Sequence, residues 1–448
     1  MKDKIRAVLA LPDTQPEPLV TKRDRRILTV AVILLTAGTF VMMGVYTAQS
    51  QTVTDPGSPG PCSVISQTVT VSSTVQTFIY YPSASQCSVG PSAPYPGITF
   101  AHGFSMFGFS DGAKENTGNG EHLASWGYVV AIPKLSDSAE TRIAQTVAVL
   151  NYLETQASTP GSFLYQKVDV TRLAMAGHSL GGATALAVAA RDARVKAVVA
   201  LDPVYHEGTF GQEGDPIWHP EAEGPNITVP TGILGAPPSS CNAQSDYTDI
   251  YPLVGAMHKA SFLIAGASHC VFTDPGSLYC SSFCTGTTDS QKTQLSQKYM
   301  TAWFNYYLHV STGYYAYLYG ANADSDVTSG LITREVSTAP RGLTATGLTG
   351  TVKLLWTLYD HPVVAGYNIY RRRPGESYSE TPLTHIGPSA AYLDTDVVGD
   401  QVYSYTLCSY DPAGSLHQLS SEVSAIPKPG EPLRVYLPLI LRCADGNC

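Results

Sequence analysis

Charged side chains are scarce in this chain. Asp, Glu, Lys and Arg make up 14% of its 448 residues, and the formal net charge is −9. The densest cluster of basic residues lies near the N-terminus, at residues 22–26. Nucleic-acid binding needs clustered Lys and Arg to neutralise phosphates, so this charge balance argues against a nucleic-acid partner. No spacing of cysteines and histidines typical of a zinc site occurs either, and we predict no bound metal.

A long apolar run follows the basic residues near the N-terminus. Residues 27–45 contain no charged side chain, and this segment is long enough to form a helix that crosses a bilayer. The preceding basic residues favour a cytoplasmic N-terminus and an external remainder. Ala48-Gln49-Ser50 also resembles a signal-peptide cleavage site. We therefore predict a cytoplasmic tail plus a signal peptide or membrane anchor over residues 1–50, and an extracellular protein that is either secreted or anchored to the membrane.

Nine cysteines fit export to an oxidising compartment. Their spacing leaves the pairing open, because Cys241 and Cys270 could pair with each other or with cysteines of a nearby loop. Cys62 and Cys87 bracket a predicted hairpin, Cys280 and Cys284 lie in that loop, and Cys443 and Cys448 close the tail. Because the total is odd, at least one cysteine cannot pair within the chain, and we predict that Cys408 is a buried free thiol.

Two folded domains are predicted after a Pro/Gly/Ser-rich linker at residues 51–61. Over residues 62–315, an antiparallel hairpin is followed by short apolar strands that alternate with amphipathic helices. Such alternation is typical of the α/β class, with a mostly parallel, doubly wound sheet covered by helices on both faces. A linker is predicted at residues 316–337. Residues 338–427 contain only alternating strand-like runs, and residues 428–448 form a C-terminal tail without an assigned role.

The strongest functional signal is Gly177-His178-Ser179-Leu180-Gly181. An apolar strand precedes it and a helix of small residues follows it, which is the context in which a G-x-S-x-G serine acts as a nucleophile. The turn is so sharp that its flanking residues must nearly lack side chains, which explains the two glycines. Ser179 is therefore the predicted nucleophile.

A serine nucleophile needs a histidine base and a carboxylate that orients this base. His269 follows the apolar strand at residues 261–265, where the last strand of the sheet would deliver the base. Asp202 follows the strand at residues 195–201, at the sheet edge where open α/β sheets form their sites. Asp246 and Asp249 are the alternatives for the acid.

The oxyanion of the tetrahedral intermediate needs two backbone amides. We predict that Leu180 donates one and that Phe104, in the loop His102-Gly103-Phe104, donates the other. His102 and His178 are expected to brace loops rather than to react. The candidate residues of an apolar acyl pocket are Met106, Phe107, Phe109 and Phe272.

Together these segments resemble the chlorophyllase branch of the α/β-hydrolases and, more distantly, the platelet-activating-factor acetylhydrolases. The resemblance rests on the loop 102–104, residues 122–130, the motif 177–182, Leu201-Asp202-Pro203-Val204 and Ser268-His269. It implies an α/β-hydrolase fold, a serine esterase with Asp202 as the acid, and no cofactor. Bacterial secreted polyester hydrolases have the same general site. Separately, Trp356 and Tyr403-Ser404-Tyr405 resemble the core of an all-β fibronectin type III sandwich.

The predicted function is thus an extracellular serine hydrolase of carboxylic esters that forms an acyl-enzyme. Its substrate would be a lipid, a small apolar ester or a polyester, and the sandwich would contact a polymer or a cell surface. An uncleaved N-terminal segment would contact the membrane. Two alternatives stay open: a non-catalytic adhesion or binding protein on a hydrolase fold, and a serine peptidase or acyltransferase.

Overall fold

The main feature of the fold is a nine-stranded sheet whose six middle strands are parallel. The computed structural model describes residues 53–88, 90–105, 111–205, 217–275, 284 and 288–430. In chain order the strands are β1 (Val64–Val71), β2 (Val75–Pro82), β3 (Tyr95–Ala101), β4 (Val129–Pro133), β5 (Val168–His178), β6 (Val195–Leu201), β7 (Thr231–Gly235), β8 (Lys259–Ile264) and β9 (Ile332–Ser337). Across the sheet they follow the order β1-β2-β4-β3-β5-β6-β7-β8-β9. The predicted mostly parallel sheet is confirmed, with antiparallel strands at both edges.

Helices cover both faces of this sheet. Within the described residues they are α1 (Thr117–Ser125), α2 (Ala139–Ser158), α3 (Leu180–Arg191), α4 (Pro220–Glu223), α5 (Tyr247–Leu253), α6 (Ser290–Tyr307), α7 (Tyr315–Leu318) and α8 (Ala321–Thr328). Side chains of α2 and α3 join one buried apolar cluster, and those of α1 and α6 join another. Two clusters on opposite faces are the arrangement that a doubly wound sheet requires.

Two smaller antiparallel sheets follow the large one. Their strands are β10 (Thr344–Leu348), β11 (Thr351–Leu355), β12 (Gly366–Arg372), β13 (Thr384–Ile386), β14 (Ala391–Asp394), β15 (Tyr403–Tyr410) and β16 (Val423–Ala425). The first sheet has the order β10-β11-β14 and the second has the order β13-β12-β15-β16. The predicted core residues Trp356, Tyr403 and Tyr405 are buried. These two sheets are compatible with a β-sandwich.

Residues 316–337 differ from the linker that the sequence predicts. They contain helix α8 and strand β9, and β9 pairs antiparallel with β8 over its whole length, from Ser337 opposite Lys259 to Ile332 opposite Ile264. Without β9, strand β8 would leave an unpaired row of backbone groups at the edge of the sheet. The segment therefore completes the large sheet instead of separating two domains.

The large sheet and the C-terminal sheets share a buried cluster of rings, which we call the ring cluster: His258, Tyr306, Tyr307, Tyr359 and His417. Nδ1 of His258 lies 3.0 Å from the hydroxyl of Tyr307, and the His258 ring stacks on Tyr359 with 4.4 Å between centroids. The hydroxyl of Tyr306 lies 3.1 Å from Nε2 of His417. Apolar residues of both parts belong to one continuous core, so the two parts pack as a unit.

Two disulfides are described in full, Cys62–Cys87 and Cys241–Cys284. The first joins the two cysteines that bracket the hairpin, a pairing that the sequence left open, and the second decides between the alternatives for Cys241. Cys270 is disulfide-bonded as well. Cys408 is buried with a free thiol, as predicted. The tail cysteines lie outside the described residues.

Among the residues that the structure describes, no helix is long and apolar enough to span a membrane. The predicted apolar segment at residues 27–45 lies outside the described part of the chain.

Candidate active site

Ser179 occupies the turn between β5 and α3. Its φ of 58° and ψ of −125° lie in a region that residues other than glycine adopt only under strain. A Cβ atom at Gly177 would collide with the carbonyl of Gly181, and one at Gly181 would collide with the carbonyl of Ala101. Because α3 begins at the next residue, the serine lies at the positive end of a helix. This is the geometry that the G-x-S-x-G motif predicts.

His269 and Asp202 are hydrogen-bonded to each other beside the serine. Nδ1 of His269 lies 2.5 Å from Oδ2 of Asp202, and both residues are buried. Asp202 directly follows β6, and the amide of Ser179 donates to the carbonyl of Leu201 at 2.9 Å. From the other side, the ring of His178 lies 4.4 Å from the ring of His269, measured between centroids. The structure thus brings the three predicted side chains to the same edge of the sheet.

The alternative acids occupy other positions. Oδ2 of Asp246 accepts a hydrogen bond from the amide of Tyr205 at 2.8 Å, so this carboxylate fixes the backbone after β6. Asp249 lies in α5 and is exposed to solvent. Of the three candidates, Asp202 is the one that the structure pairs with His269.

Asn242 supports the carboxylate of Asp202, and the sequence analysis missed it. Its side-chain amide donates to Oδ1 of Asp202 at 3.0 Å and to the carbonyl of Pro203 at 3.3 Å. The amide of Ala236 reaches the same Oδ1 at 3.3 Å. Both residues come from the loop after β7, and the neighbouring Cys241 ties this loop to Cys284. One feature of the sequence could have pointed to Asn242. The loop after β7 has no carboxylate before Asp246, so a polar side chain there can support an acid that comes from another strand.

The predicted oxyanion loop follows β3 and approaches the serine closely. A Cβ atom placed on Gly103 would lie 3.1 Å from Cβ of Ser179, so any larger residue would crowd the serine. Phe104 is the next residue and packs, partly buried, against the core. Leu180 is the first residue of α3, and amides in the first turn of a helix have no partner within it. The two predicted donors therefore flank the serine.

His102 and His178 are buried and brace loops. Nε2 of His102 accepts from the amide of Leu135 at 2.9 Å, while Nδ1 lies 2.6 Å from the carbonyl of Gly103. Burial and the charge of a nearby arginine lower the pKa of His102 to about 3. Nε2 of His178 donates to the backbone carbonyl of His269 at 3.0 Å, and burial holds the pKa of His178 well below its usual value. At neutral pH both rings are uncharged, and they hold the loops through these hydrogen bonds.

The predicted pocket residues fall into two groups. Phe272 is fully buried and stacks on His178, with 6.0 Å between centroids, so its ring supports His178 rather than facing open space. Met106, Phe107 and Phe109 lie outside the described residues. Within the part of the chain that the structure describes, no three His, Cys, Asp or Glu side chains form a group that could hold a metal ion.

Comparison with known families agrees with this geometry. The profile of the PET hydrolase-like family matches residues 50–336, well over half of the chain. The chain belongs to the PET hydrolase-like family. The matched range ends within β9, which agrees with the observation that this strand completes the large sheet.

Several curated relatives of this PET hydrolase-like chain are cutinases. It is 32% identical to cutinase 1 of Thermobifida cellulosilytica, over 34% of this chain and 53% of the relative. It is also 32% identical to a cutinase of Thermobifida fusca, over 34% of this chain and 46% of that relative. It is 27% identical to a bis(hydroxyethyl) terephthalate hydrolase of Streptomyces coelicolor, over 35% of this chain and 43% of that protein. The chain thus spans about half the length of these relatives or less.

The family match corrects the subfamily that the motifs led us to expect. The chain matches the PET hydrolase-like family, and neither the chlorophyllase nor the platelet-activating-factor acetylhydrolase branch is supported. The reason is chemical, because a serine elbow, an oxyanion loop and a terminal histidine are required by acyl transfer in any branch. Such motifs therefore identify the chemistry better than they identify the subfamily.

Proposed function

We propose that this chain is an exported serine hydrolase that cleaves carboxylic esters with Ser179, His269 and Asp202. The observation that carries the proposal is the buried hydrogen bond between His269 and Asp202 beside a strained serine turn. A fully buried imidazole–carboxylate pair next to a serine on an elbow is the arrangement that acyl transfer uses. Membership of the PET hydrolase-like family supports it.

In the proposed acylation step, Oγ of Ser179 attacks the ester carbonyl and Nε2 of His269 takes its proton. Nδ1 of His269 is already bonded to Asp202, so this carboxylate fixes the tautomer and stabilises the imidazolium that forms. The amides of Phe104 and Leu180 would bind the oxyanion of the tetrahedral intermediate. His269 then gives its proton to the leaving alcohol, and an acyl-enzyme remains.

Deacylation repeats these steps with water as the nucleophile. His269 removes a proton from the water, the water oxygen attacks the acyl carbon, and the proton returns to Oγ of Ser179 as the acid leaves. The hydrogen bonds from Asn242 and Ala236 to Asp202 hold the carboxylate in place through both half-reactions.

For the substrate we propose a polyester or a small apolar ester. Several relatives are named cutinases and one is named a bis(hydroxyethyl) terephthalate hydrolase, and these names indicate such esters as their substrates. This favours a polyester or a small apolar ester over the lipid esters that the sequence also allows. The described disulfides support an oxidising, extracellular location.

We also propose that the C-terminal sheets form a fibronectin type III-like sandwich. The division into a three-stranded and a four-stranded antiparallel sheet supports this. Its proposed role is to contact a polymer or a cell surface while it stays packed on the catalytic part through the ring cluster.

The test is the hydrolysis of chromogenic esters of graded acyl length by the full chain, beside Ser179→Ala. We expect a clear optimum of chain length and loss of turnover by several orders of magnitude in the variant. Labelling by a fluorophosphonate probe should disappear in the same variant. A matched pair of ester and amide substrates separates an esterase from a peptidase, and acyl transfer to an added alcohol detects an acyltransferase. Equal or absent turnover and labelling in both folded proteins would favour a binding protein.

A further inference from the structure

Arg142, in helix α2, is fully buried behind the oxyanion loop. Its nearest carboxylate is Asp137, and the charged groups of the two residues lie 3.8 Å apart. Burial lowers the pKa of Arg142 to about 10, so the side chain stays protonated at neutral pH. A buried cation is unfavourable unless its donors are used, and besides this ion pair Arg142 donates to the backbone carbonyls of Ser136, His102 and Gly103.

The guanidinium holds the backbone of the oxyanion loop. Nη2 of Arg142 donates to the carbonyl of His102 and, at 3.4 Å, to the carbonyl of Gly103. Nδ1 of His102 lies 2.6 Å from the same Gly103 carbonyl. In a trans peptide the C=O and the following N–H point in opposite directions. Fixing the Gly103 carbonyl towards Arg142 therefore fixes the amide of Phe104 facing away from Arg142.

The same side chain also reaches the helix that follows the serine. Nε of Arg142 donates to Oγ1 of Thr184 at 2.9 Å, and this hydroxyl donates in turn to the carbonyl of Leu180 at 2.7 Å. Thr184 is fully buried in α3. One guanidinium thus connects the loop that contains Phe104 to the helix turn that contains Leu180.

We propose that Arg142 is the positioning residue of the oxyanion hole, because it fixes the spacing between the two backbone segments that supply the amides of Phe104 and Leu180. The inference rests on the proposed ester hydrolase function. Arg142 does not touch the substrate, so its loss should weaken stabilisation of the transition state and leave binding of the ground state nearly unchanged.

The experiment compares Arg142→Met, Arg142→Lys and Thr184→Val with wild type, as full chains, on a p-nitrophenyl butyrate substrate. Removal of one oxyanion donor costs about 10²–10³-fold in kcat, so we expect a misplaced donor in Arg142→Met to cost about 10–100-fold. KM should change by less than about twofold. Arg142→Lys keeps the charge without the fork and should lie between Arg142→Met and wild type. The inhibition constant of a trifluoromethyl ketone, which forms an oxyanion on the serine, should rise as kcat falls.

Arg172 supplies the matched control. Its guanidinium also donates to backbone carbonyls, those of Leu308 at 3.0 Å and Pro94 at 3.2 Å, but near the other end of β5. Arg172→Met should keep wild-type kcat. Wild-type kcat in a folded Arg142→Met, judged by near-ultraviolet circular dichroism, would overturn the proposal. If Arg142→Met does not fold, unchanged kcat in both Arg142→Lys and Thr184→Val would overturn it. A wild-type chain without any Ser179-dependent turnover would contradict the proposed function and this inference together.

Discussion

Replacement of His417 by Gln tests how strongly the ring cluster makes the fold sensitive to acid. His417 is 7% exposed, with Nε2 3.1 Å from the hydroxyl of Tyr306 and Nδ1 3.0 Å from Oγ of Ser409. Two titratable groups that change charge in the acid range lie near it: His258, with 4.6 Å between ring centroids, and Asp411, which lies 3.3 Å from the hydroxyl of Tyr306. The rings of Tyr306, Tyr315 and Tyr319 also face it. Burial lowers the pKa of His417 from 6.5 to about 4.

The sign of the effect follows from this lowered pKa. Below about pH 6.5 the unfolded chain binds a proton at His417 that the folded chain does not bind until about pH 4. The free energy of unfolding is therefore fully retained above about pH 7 and declines as the pH falls through this window. By linkage, this one histidine should lower the stability by about 2 kcal/mol at pH 5 and by about 3 kcal/mol once both states are protonated.

The assay is urea unfolding of wild type and His417→Gln at pH 8 and pH 5. At pH 8 the variant should be less stable, because it loses two buried hydrogen bonds. At pH 5 this deficit should be smaller by about 2 kcal/mol, because glutamine has no proton to exclude. The control for replacing an imidazole by an amide is His385→Gln, at an exposed position. A deficit of His417→Gln that is the same at both pH values would refute the reasoning.

Two further predictions concern the acid of the proposed site. Asp202→Asn should lower kcat by about 10⁴-fold because the amide favours the wrong tautomer of His269, whereas Asp246→Asn should keep activity within about tenfold. Steady-state hydrolysis of a chromogenic ester measures both effects. A larger loss in Asp246→Asn than in Asp202→Asn would reassign the acid. Asn242→Leu removes the 3.0 Å hydrogen bond to Oδ1 of Asp202 and should lower kcat about tenfold with little change in KM, while Asn242→Gln should retain part of the activity. A folded Asn242→Leu with wild-type kcat would show that the remaining contact from Ala236 holds the carboxylate alone.

Local signals explain why the sharp turn at Ser179 could be predicted from the sequence. Ser179 lies in a turn whose glycines, preceding strand and following helix are contiguous, so one short segment contains the whole geometry. Asp202 and His269 were accessible by a topological argument, because parallel strands β6 and β8 end at the same edge of the sheet.

Long-range support was not accessible in the same way. Asn242 contacts Asp202 across 40 residues, and Arg142 contacts the loop carbonyl of His102 across the same separation. Neither contact has a pattern within a short window, because each depends on how two loops or a helix and a loop meet in three dimensions. Strand β9 was missed for a related reason: its residues alternate weakly, and its identity as a strand depends on the open edge of β8.

The ring cluster has a consequence for how this chain can be divided. The family match ends at residue 336, but Tyr306 and His258, which precede that point, are covered by His417 and Tyr359 from beyond it. A gene fragment that stopped at the end of the match would translate into a protein with uncovered aromatic rings, which favours aggregation. An exchange of the C-terminal part by recombination would therefore need a replacement that covers the same rings.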